Sequence, residues 1–474
     1  MYQAMIEDYF ETHAQELIEA VCRLVRIPSV KGDASPGKPF GDGPAAALRE
    51  GLLLASELGF RTENLSGYVG TVDMNQEETM LHIWGHLDVV AGGPGWKKTD
   101  AFSPLLSGDL LYGRGTSDDK GPILAALFAM KAVKDLKIPL SKNVRLILGT
   151  DEESGMQDVA WYYERHPYAP HTFSPDAQFP VINLEKGHLQ PHLEKAFPES
   201  REAVRLLSLT TECPVNMVPP TAKATVLGLS MDLVKPVCAQ LEPVLRVSFT
   251  LHEEKSVLTI FSQGHATHAS TPEKGINALT ALITLLCHLP LSDTEATRTL
   301  HSLHSYFPHD DHEAKALGLA QSDELAGPLT LTLSVMDWTE QGMKARFDAR
   351  TPRCATEENT LQQAKTILGE HGITLDGHLN PAHYVPEDSP FIQTLLRAYE
   401  TYSGRKGTCL SMGGGTYVHN IPGGVAFGAN MPDFVSHLHE PDECVSTSEL
   451  LTACKIFTQV IVDLCSSPEV SSHA

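Results

Sequence analysis

Apolar residues near the start of the chain recur with helical spacing. Phe10, Leu17, Ile18, Val21, Leu24 and Val25 fall on one side of a helix. The spacing predicts an amphipathic helix within the first thirty residues, closed by Pro28, which cannot continue it. Two short apolar runs, 81–84 ending at Gly85 and 144–148 ending at Gly149, read as buried strands. Between them, 122–136 reads as a helix with Ile123, Leu124, Leu127 and Met130 on its apolar side. Strand, helix, strand with short loops predicts an α/β unit with parallel strands. Such sheets bind ligands beyond the carboxyl ends of their strands. The pattern changes after Lys186-Gly187. Alternating stretches at 247–251 and 329–333 and a strong helix at 276–289 fill a middle region. After Pro386 come a helix near 391–399 and a glycine-rich turn at 413–415. The chain is therefore read as a first domain over 1–187, an inserted second domain over 188–382, and a return to the first over 383–474, ending in a polar tail at 466–474.

Composition narrows the function classes. The 474 residues suggest roughly three domains by length alone, and 42% apolar content is enough for a large core. A net charge of -23 repels nucleic acid and anionic membranes and suits a soluble cytoplasmic enzyme. Nine cysteines, an odd number with no CxxC pair, argue against a disulfide framework or a cysteine zinc site. The N-terminus lacks a basic region followed by an apolar core, and no apolar run reaches the ~18 residues of a membrane span. Asn64-Leu65-Ser66 matches a glycosylation acceptor and is read as chance.

The chemistry lies in short segments rich in His, Asp and Glu: His86-Leu87-Asp88, Asp118-Asp119-Lys120, Asp151-Glu152-Glu153, Ser174-Pro175-Asp176 and His439-Glu440-Pro441-Asp442-Glu443. Imidazole and carboxylate ligands gathered this way suit a pair of divalent ions that activate water for hydrolysis. His86 is a ligand at a strand end, and Asp88, two residues on, is placed to orient it. Asp119 has an ordinary explanation at a helix N-terminus, with Pro122 in the first turn. Asp118 has no such need, and a carboxylate with two oxygens can bridge two cations. Three adjacent acids at 151–153 repel one another unless a cation offsets them. Neighbouring side chains diverge, so one can bind metal while the other faces the water; Glu153 is assigned to metal and Glu152 to general base, since metal brings the pKa of a bound water to about 7. Alone, Asp176 reads as a turn residue and His439 as one of 22 histidines; the ordered set carries the argument.

Gly85 to Val90, Gly113-Arg114-Gly115 through Gly121, Thr150 to Gly155 and the His439 segment together resemble the di-zinc aminoacylase, carboxypeptidase and dipeptidase family. Within it, Phe173-Ser174-Pro175-Asp176, Glu185-Lys186-Gly187, Asn216-Met217-Val218-Pro219 and Gly413-Gly414-Gly415-Thr416-Tyr417 are most similar to the PepV-type dipeptidases. The resemblance runs to about residue 447. It implies an α/β catalytic domain of the zinc-exopeptidase type, with a central mixed, largely parallel sheet and an inserted α+β lid domain. It implies His86 and Asp176 on one metal, Glu153 and His439 on the other, and Asp118 bridging, with Asp88 orienting His86 and Glu152 as general base. It also implies that His268, in Gly264-His265-Ala266-Thr267-His268-Ala269-Ser270, polarises the scissile carbonyl, a contribution of several kcal/mol in such hydrolyses. Asn216, Arg350, Gly414 and Gly415 are implied substrate contacts, Arg350 by bidentate pairing with a dipeptide carboxylate. The long insert implies a monomer. Val418-His419 departs from the family's pattern, where a small residue and often an arginine are expected, and bears on the pocket rim.

The expected activity is dipeptide hydrolysis by a water bridged between two metals, zinc first, with manganese or cobalt as alternatives. A deacylase of N-acyl amino acids is the alternative within the family, and a non-catalytic peptide-binding protein that kept the fold is the alternative outside it.

Overall fold

The computed structural model describes residues 2–467, so 468–474 of the polar tail lie outside the described residues. Two compact units divide the chain, where length alone suggests roughly three. The first comprises 1–184, 384–411 and 415–474, and the second 185–383 and 412–414. No helix among the described residues is long and apolar enough to cross a membrane.

The first unit is built on a mixed sheet. Its order is Arg61–Leu65, Val69–Asp73, Asn143–Gly149, Thr79–His86, His171–Ser174, Val425–Ala426 and Val181–Glu185. The middle strands Asn143–Gly149, Thr79–His86, His171–Ser174 and Val425–Ala426 run parallel, and those outside them are antiparallel. Register sets His86 opposite Gly149, so the carboxyl ends of the parallel strands come level. Thr79–His86 is buried from Leu81 onward, as expected for a strand covered on both faces. The helix predicted at 122–136 is Lys120–Asp135, and it is apolar on nearly every side because almost all of it is buried. The first helix is Gln3–Val25, ending three residues before Pro28. Pro390–Ser403 carries its own punctuation: Ser389 Oγ accepts from the Ile392 amide, proline opens the helix, and Gly404 closes it at φ 67°. Thr447–Cys465 is capped likewise by Ser446.

The second unit is an antiparallel sheet with helices. The order is Ser248–Glu254, Val257–Gln263, Thr221–Leu227, Arg205–Thr210, Thr330–Thr339 and Gly342–Thr351, and then short strands including Gly187–Leu189. Alternation of exposed and buried positions in Thr221–Leu227 and Val257–Gln263 marks one face toward a core. Ala278–Cys287, the strong helix of the middle region, is held at its start by Asn277, whose side chain accepts from the Leu279 and Thr280 amides.

Candidate active site

Three adjacent parallel strands deliver the first group of side chains. His86 ends Thr79–His86, Glu152 and Glu153 follow Asn143–Gly149, and Asp176 follows His171–Ser174. Two longer loops supply Asp118 and His439. They are brought together by pairing of Cys444–Ser446 with Leu110–Tyr112, Cys444 opposite Tyr112.

His86 is fully buried, and its Nδ1 lies 2.9 Å from the backbone oxygen of Asp88. A carbonyl oxygen only accepts, so Nδ1 carries a proton, and in the neutral ring that a metal would bind Nε2 presents a lone pair. That lone pair faces Asp118 Oδ1 at 2.9 Å and Asp176 Oδ2 at 3.6 Å. Neither is aligned for a hydrogen bond, and Nε2 is a buried polar atom without such a partner. A lone pair turned toward two carboxylates calls for a cation among them. His439 Nε2 lies 2.9 Å from Asp118 Oδ2 and 3.1 Å from Glu153 Oε2. His86, Asp118 and Asp176 thus form one possible ligand group, and Asp118, Glu153 and His439 another, sharing Asp118. Glu152 belongs to neither. Two imidazoles and three carboxylates are a donor set that fits zinc, manganese or cobalt.

Within the two ligand groups, the histidines face the carboxylate charge. Burial and the Asp118 carboxylate push Glu153 and Asp176 upward, and burial with Asp176 pushes Glu152 well above the carboxylate range. Hydrogen bonding to Asp118 and Glu153 lifts His439 to about 11. Burial works against a charged His86, yet Asp118, Asp176 and Asp88 hold it well above its usual value. For Asp118 burial works upward, and the two imidazoles still bring it below its usual range. The upward shifts at Glu152, Glu153, Asp176, His86 and His439 favour added positive charge at the cluster.

The surrounding residues differ in part from their expected duties. The strand ends at His86, so alternation does not extend to Asp88, and the backbone carbonyl of Asp88 is what orients the imidazole. The Asp88 carboxylate, 3.5 Å from His86 Nδ1, accepts instead from the amides of Glu152 at 3.2 Å and Glu153 at 3.1 Å. Asp119 stands at the start of Lys120–Asp135 but makes no capping bond. Its Oδ2 accepts from the His86 amide at 3.0 Å, tying helix to strand. Asp158 is fully buried and accepts from the amides of Thr150 at 2.6 Å and Asp151 at 3.0 Å and from the Tyr417 hydroxyl, which fixes the loop before Glu152. Glu443, fully buried, accepts from Arg114 and three amides of the Asp118 loop. No motif signal marks Asp158, while Glu443 lies inside the His439 segment. Val418 is buried and His419 half-buried in the turn Tyr417–Asn420.

The remaining expected residues, apart from Gly415, lie in the second unit, and the structure brings several of them together. His268 Nδ1 accepts from the Ser270 amide at 3.2 Å and lies 2.7 Å from Ser270 Oγ. The neutral ring therefore carries its proton on Nε2, as a donor. The Asn216 segment runs beside it: Ala269 donates to the Asn216 carbonyl at 2.8 Å and Val218 to that of Thr267 at 2.9 Å. Both Asn216 and His268 are exposed within this chain. Arg350 is buried, not a surface arginine, and its bidentate edge is filled by Asp348, with Nε–Oδ1 at 2.7 Å and Nη2–Oδ2 at 2.9 Å. Its Nη1 donates to the Gly413 carbonyl at 3.0 Å, beside Gly414. A substrate carboxylate would meet only the N–H groups that remain on the two terminal nitrogens. A Cβ on Gly413 would lie 2.6 Å from that of Ser270, which explains the glycine there.

The sequence pattern of Peptidase family M20/M25/M40 matches residues 82–463. The chain is 34% identical over 465 residues to "Putative dipeptidase YtjP" of Bacillus subtilis (strain 168), covering 95% of this chain and 97% of that one. It is 30% identical over 466 residues to the Beta-Ala-Xaa dipeptidase of Lactobacillus delbrueckii subsp. lactis, covering 97% and 98%. The solved structure of aminoacylhistidine dipeptidase from Vibrio alginolyticus superposes with a TM-score of 0.57 at 13% identity, over 95% of this chain and 97% of that chain. At that identity the likeness is one of fold, and it agrees with the expected α/β architecture and α+β insert. The chain belongs to Peptidase family M20/M25/M40, and is a hydrolase of the metal-dependent peptidase class.

Proposed function

We propose that this protein is a dipeptidase that hydrolyses dipeptides with free N- and C-termini, using two divalent ions, zinc first. The observation that carries the reading is the pair of ligand groups sharing Asp118, with Glu152 in neither but buried within the electrostatic reach of Asp176, His86, Glu153 and Asp118. Names borne by the relatives, a dipeptidase and a Beta-Ala-Xaa dipeptidase, support the substrate class. In this reading His86 and Asp176 hold one ion, Glu153 and His439 the other, and Asp118 both. Bound there, the ions would polarise the scissile carbonyl and make water a better nucleophile at neutral pH. Glu152 takes a proton from the attacking water as its oxygen bonds to the carbonyl carbon. It then delivers that proton to the leaving nitrogen as the C–N bond breaks. Nε2–H of His268 donates to the developing oxyanion. The resemblance gives the second unit the part of a lid and Asn216, Arg350, Gly414 and Gly415 the part of substrate contacts; within that unit Asp348 holds the plane of Arg350, whose free N–H groups suit a C-terminal carboxylate.

The test is hydrolysis by metal-stripped protein with zinc, manganese or cobalt added back, on Leu-Leu, Ala-Ala, β-Ala-His, Ala-Ala-Ala and N-acetyl-Leu. Metal-restored cleavage confined to dipeptides is expected. Cleavage of N-acetyl-Leu alone would move the function to deacylation. Glu152→Gln should keep both ions and lose at least about a thousand-fold in rate; near-normal activity would remove Glu152 from the mechanism.

A further inference from the structure

Among the buried charges that this mechanism leaves unused, Glu443 has the most demanding surroundings. Its Oε1 accepts from the amides of Gly115 at 3.0 Å, Ser117 at 3.0 Å and Asp118 at 3.2 Å. Its Oε2 accepts from Arg114 Nη1 at 2.6 Å. Arg114 is itself buried, with its guanidinium over the Trp96 ring at 5.6 Å. The backbone of Glu443 is tied to the same loop, since its carbonyl accepts from the Gly113 amide at 2.9 Å. One carboxylate thus collects four donors, three of them consecutive or near-consecutive amides that turn about a single oxygen.

The other end of Glu443 governs His439. Cys444 donates to the Ser436 carbonyl at 3.0 Å, which closes a loop over 436–444 with His439 at its tip, and the Cys444–Ser446 strand roots that loop against Leu110–Tyr112 in a separate three-stranded sheet. His437, His439 and Asp442 all adopt left-handed backbone, at φ 55°, 60° and 63°. The loop's course is held by its closure and not by local preference. Glu153 is fixed independently, through the Asp88 carboxylate on its amide. His86 and Asp176 sit at strand ends.

We propose that Glu443 is a positioning residue for the second divalent ion: by clasping the Asp118 loop to the root of the His439 loop, it sets the spacing of two of that ion's three ligands. The inference rests on the two-ion reading above. It predicts a selective effect. Loss of the clasp disturbs Asp118 and His439 in the Asp118, Glu153, His439 group, but only Asp118 in the His86, Asp118, Asp176 group.

The experiment is calorimetric titration of metal-stripped, full-length protein with Zn²⁺, and separately with Mn²⁺, for wild type and Glu443→Gln. Circular dichroism checks the fold. Wild type should take up two ions. In Glu443→Gln the weaker-held ion should lose at least about tenfold in affinity, and the other should change by less than about threefold. That variant's kcat toward a dipeptide should recover with excess metal while KM stays unchanged, a recovery that general loss of structure would not give. Arg114→Lys, which keeps the carboxylate and its amide cradle, is the second variant if Glu443→Gln does not fold. It should show the same selective loss at smaller size. Equal weakening of both ions, or unchanged affinity for both, overturns the inference while leaving the two-ion reading intact. Wild type binding fewer than two ions overturns both.

Discussion

Gly85, the residue before the first candidate ligand, leaves no room for a side chain. A Cβ there would lie 2.2 Å from Asp119 Oδ2 and 2.2 Å from Ile123 Cδ1. Neither neighbour is the free end of a flexible chain. Asp119 is fully buried and bonded to the His86 amide, and Ile123 is fully buried in Lys120–Asp135. In Gly85→Ala the helix must retreat and the Asp119 bond must break. Overpacking a well-filled core costs about 1–3 kcal/mol, and leaving a buried amide without an acceptor costs about 1–3 kcal/mol more. The gain from a less flexible unfolded chain, about 0.4–1 kcal/mol, is too small to offset them. The expected net loss is therefore about 1–6 kcal/mol, local to the first unit. A two-unit chain need not melt in one step, so native-state hydrogen exchange over Thr79–His86 is the better readout, with urea denaturation beside it. Gly369→Ala is the control, because nothing lies within 4 Å of a Cβ at that exposed helix end; it should be neutral or slightly stabilising. Exchange at 79–86 unchanged in Gly85→Ala, with stability within about 0.5 kcal/mol of wild type, would refute the claim that helix and strand are locked through Asp119.

Chelation should lower the melting temperature and stoichiometric metal should restore it, by about 4 kcal/mol when free metal stands a thousand-fold above its Kd; an unchanged scanning calorimetry trace would contradict a metal-holding cluster. Tyr417→Phe removes the hydroxyl that donates to buried Asp158, and should cost about 1–3 kcal/mol in urea denaturation; a loss near zero would mean that Asp158 does not depend on it. Burial, with Arg145 nearby, holds His82 down to about 3, whereas the unfolded chain binds that proton near pH 6.5. Between those values the unfolded state takes up the proton and the folded state does not. Stability present above pH 6.5 is thus lost as pH falls, by about 2 kcal/mol at pH 5. His82→Gln should lose correspondingly less stability between pH 7 and 5, and an identical pH slope would place the titration elsewhere.

The outline of the first unit was legible because its signals are local. Apolar runs closed by glycine gave the strands that became Thr79–His86 and Asn143–Gly149, and helical spacing gave Lys120–Asp135. The candidate ligands were legible for a related reason. His86, Asp118, Glu153, Asp176 and His439 are residue types that suit a cation, and their order along the chain singles them out. What stayed hidden were duties decided by long-range contact. Asp119 looked like a helix cap and instead holds the strand through the His86 amide, while Asp88, whose carboxylate lies 3.5 Å from His86 Nδ1, also fixes the Glu152 loop through two amides.

Two acids show where such reading stops. Glu443 and Asp348 are both fully buried, and both have their charge met by an arginine, Arg114 in one case and Arg350 in the other. Among 59 acidic residues, nothing in composition separates an acid already satisfied inside the fold from one in water. One of the two did leave a trace. Asp348 and Arg350 stand two apart on the strand Gly342–Thr351, where period two puts both side chains on one face, so a charged pair at that spacing in an otherwise alternating strand is readable as a pair. Arg114 and Glu443 are 329 residues apart, and only the pairing of Cys444–Ser446 with Leu110–Tyr112 brings them together. An unsatisfied group announces a ligand by its chemistry, whereas a satisfied one is visible only through the partner that satisfies it, and that partner is found by topology.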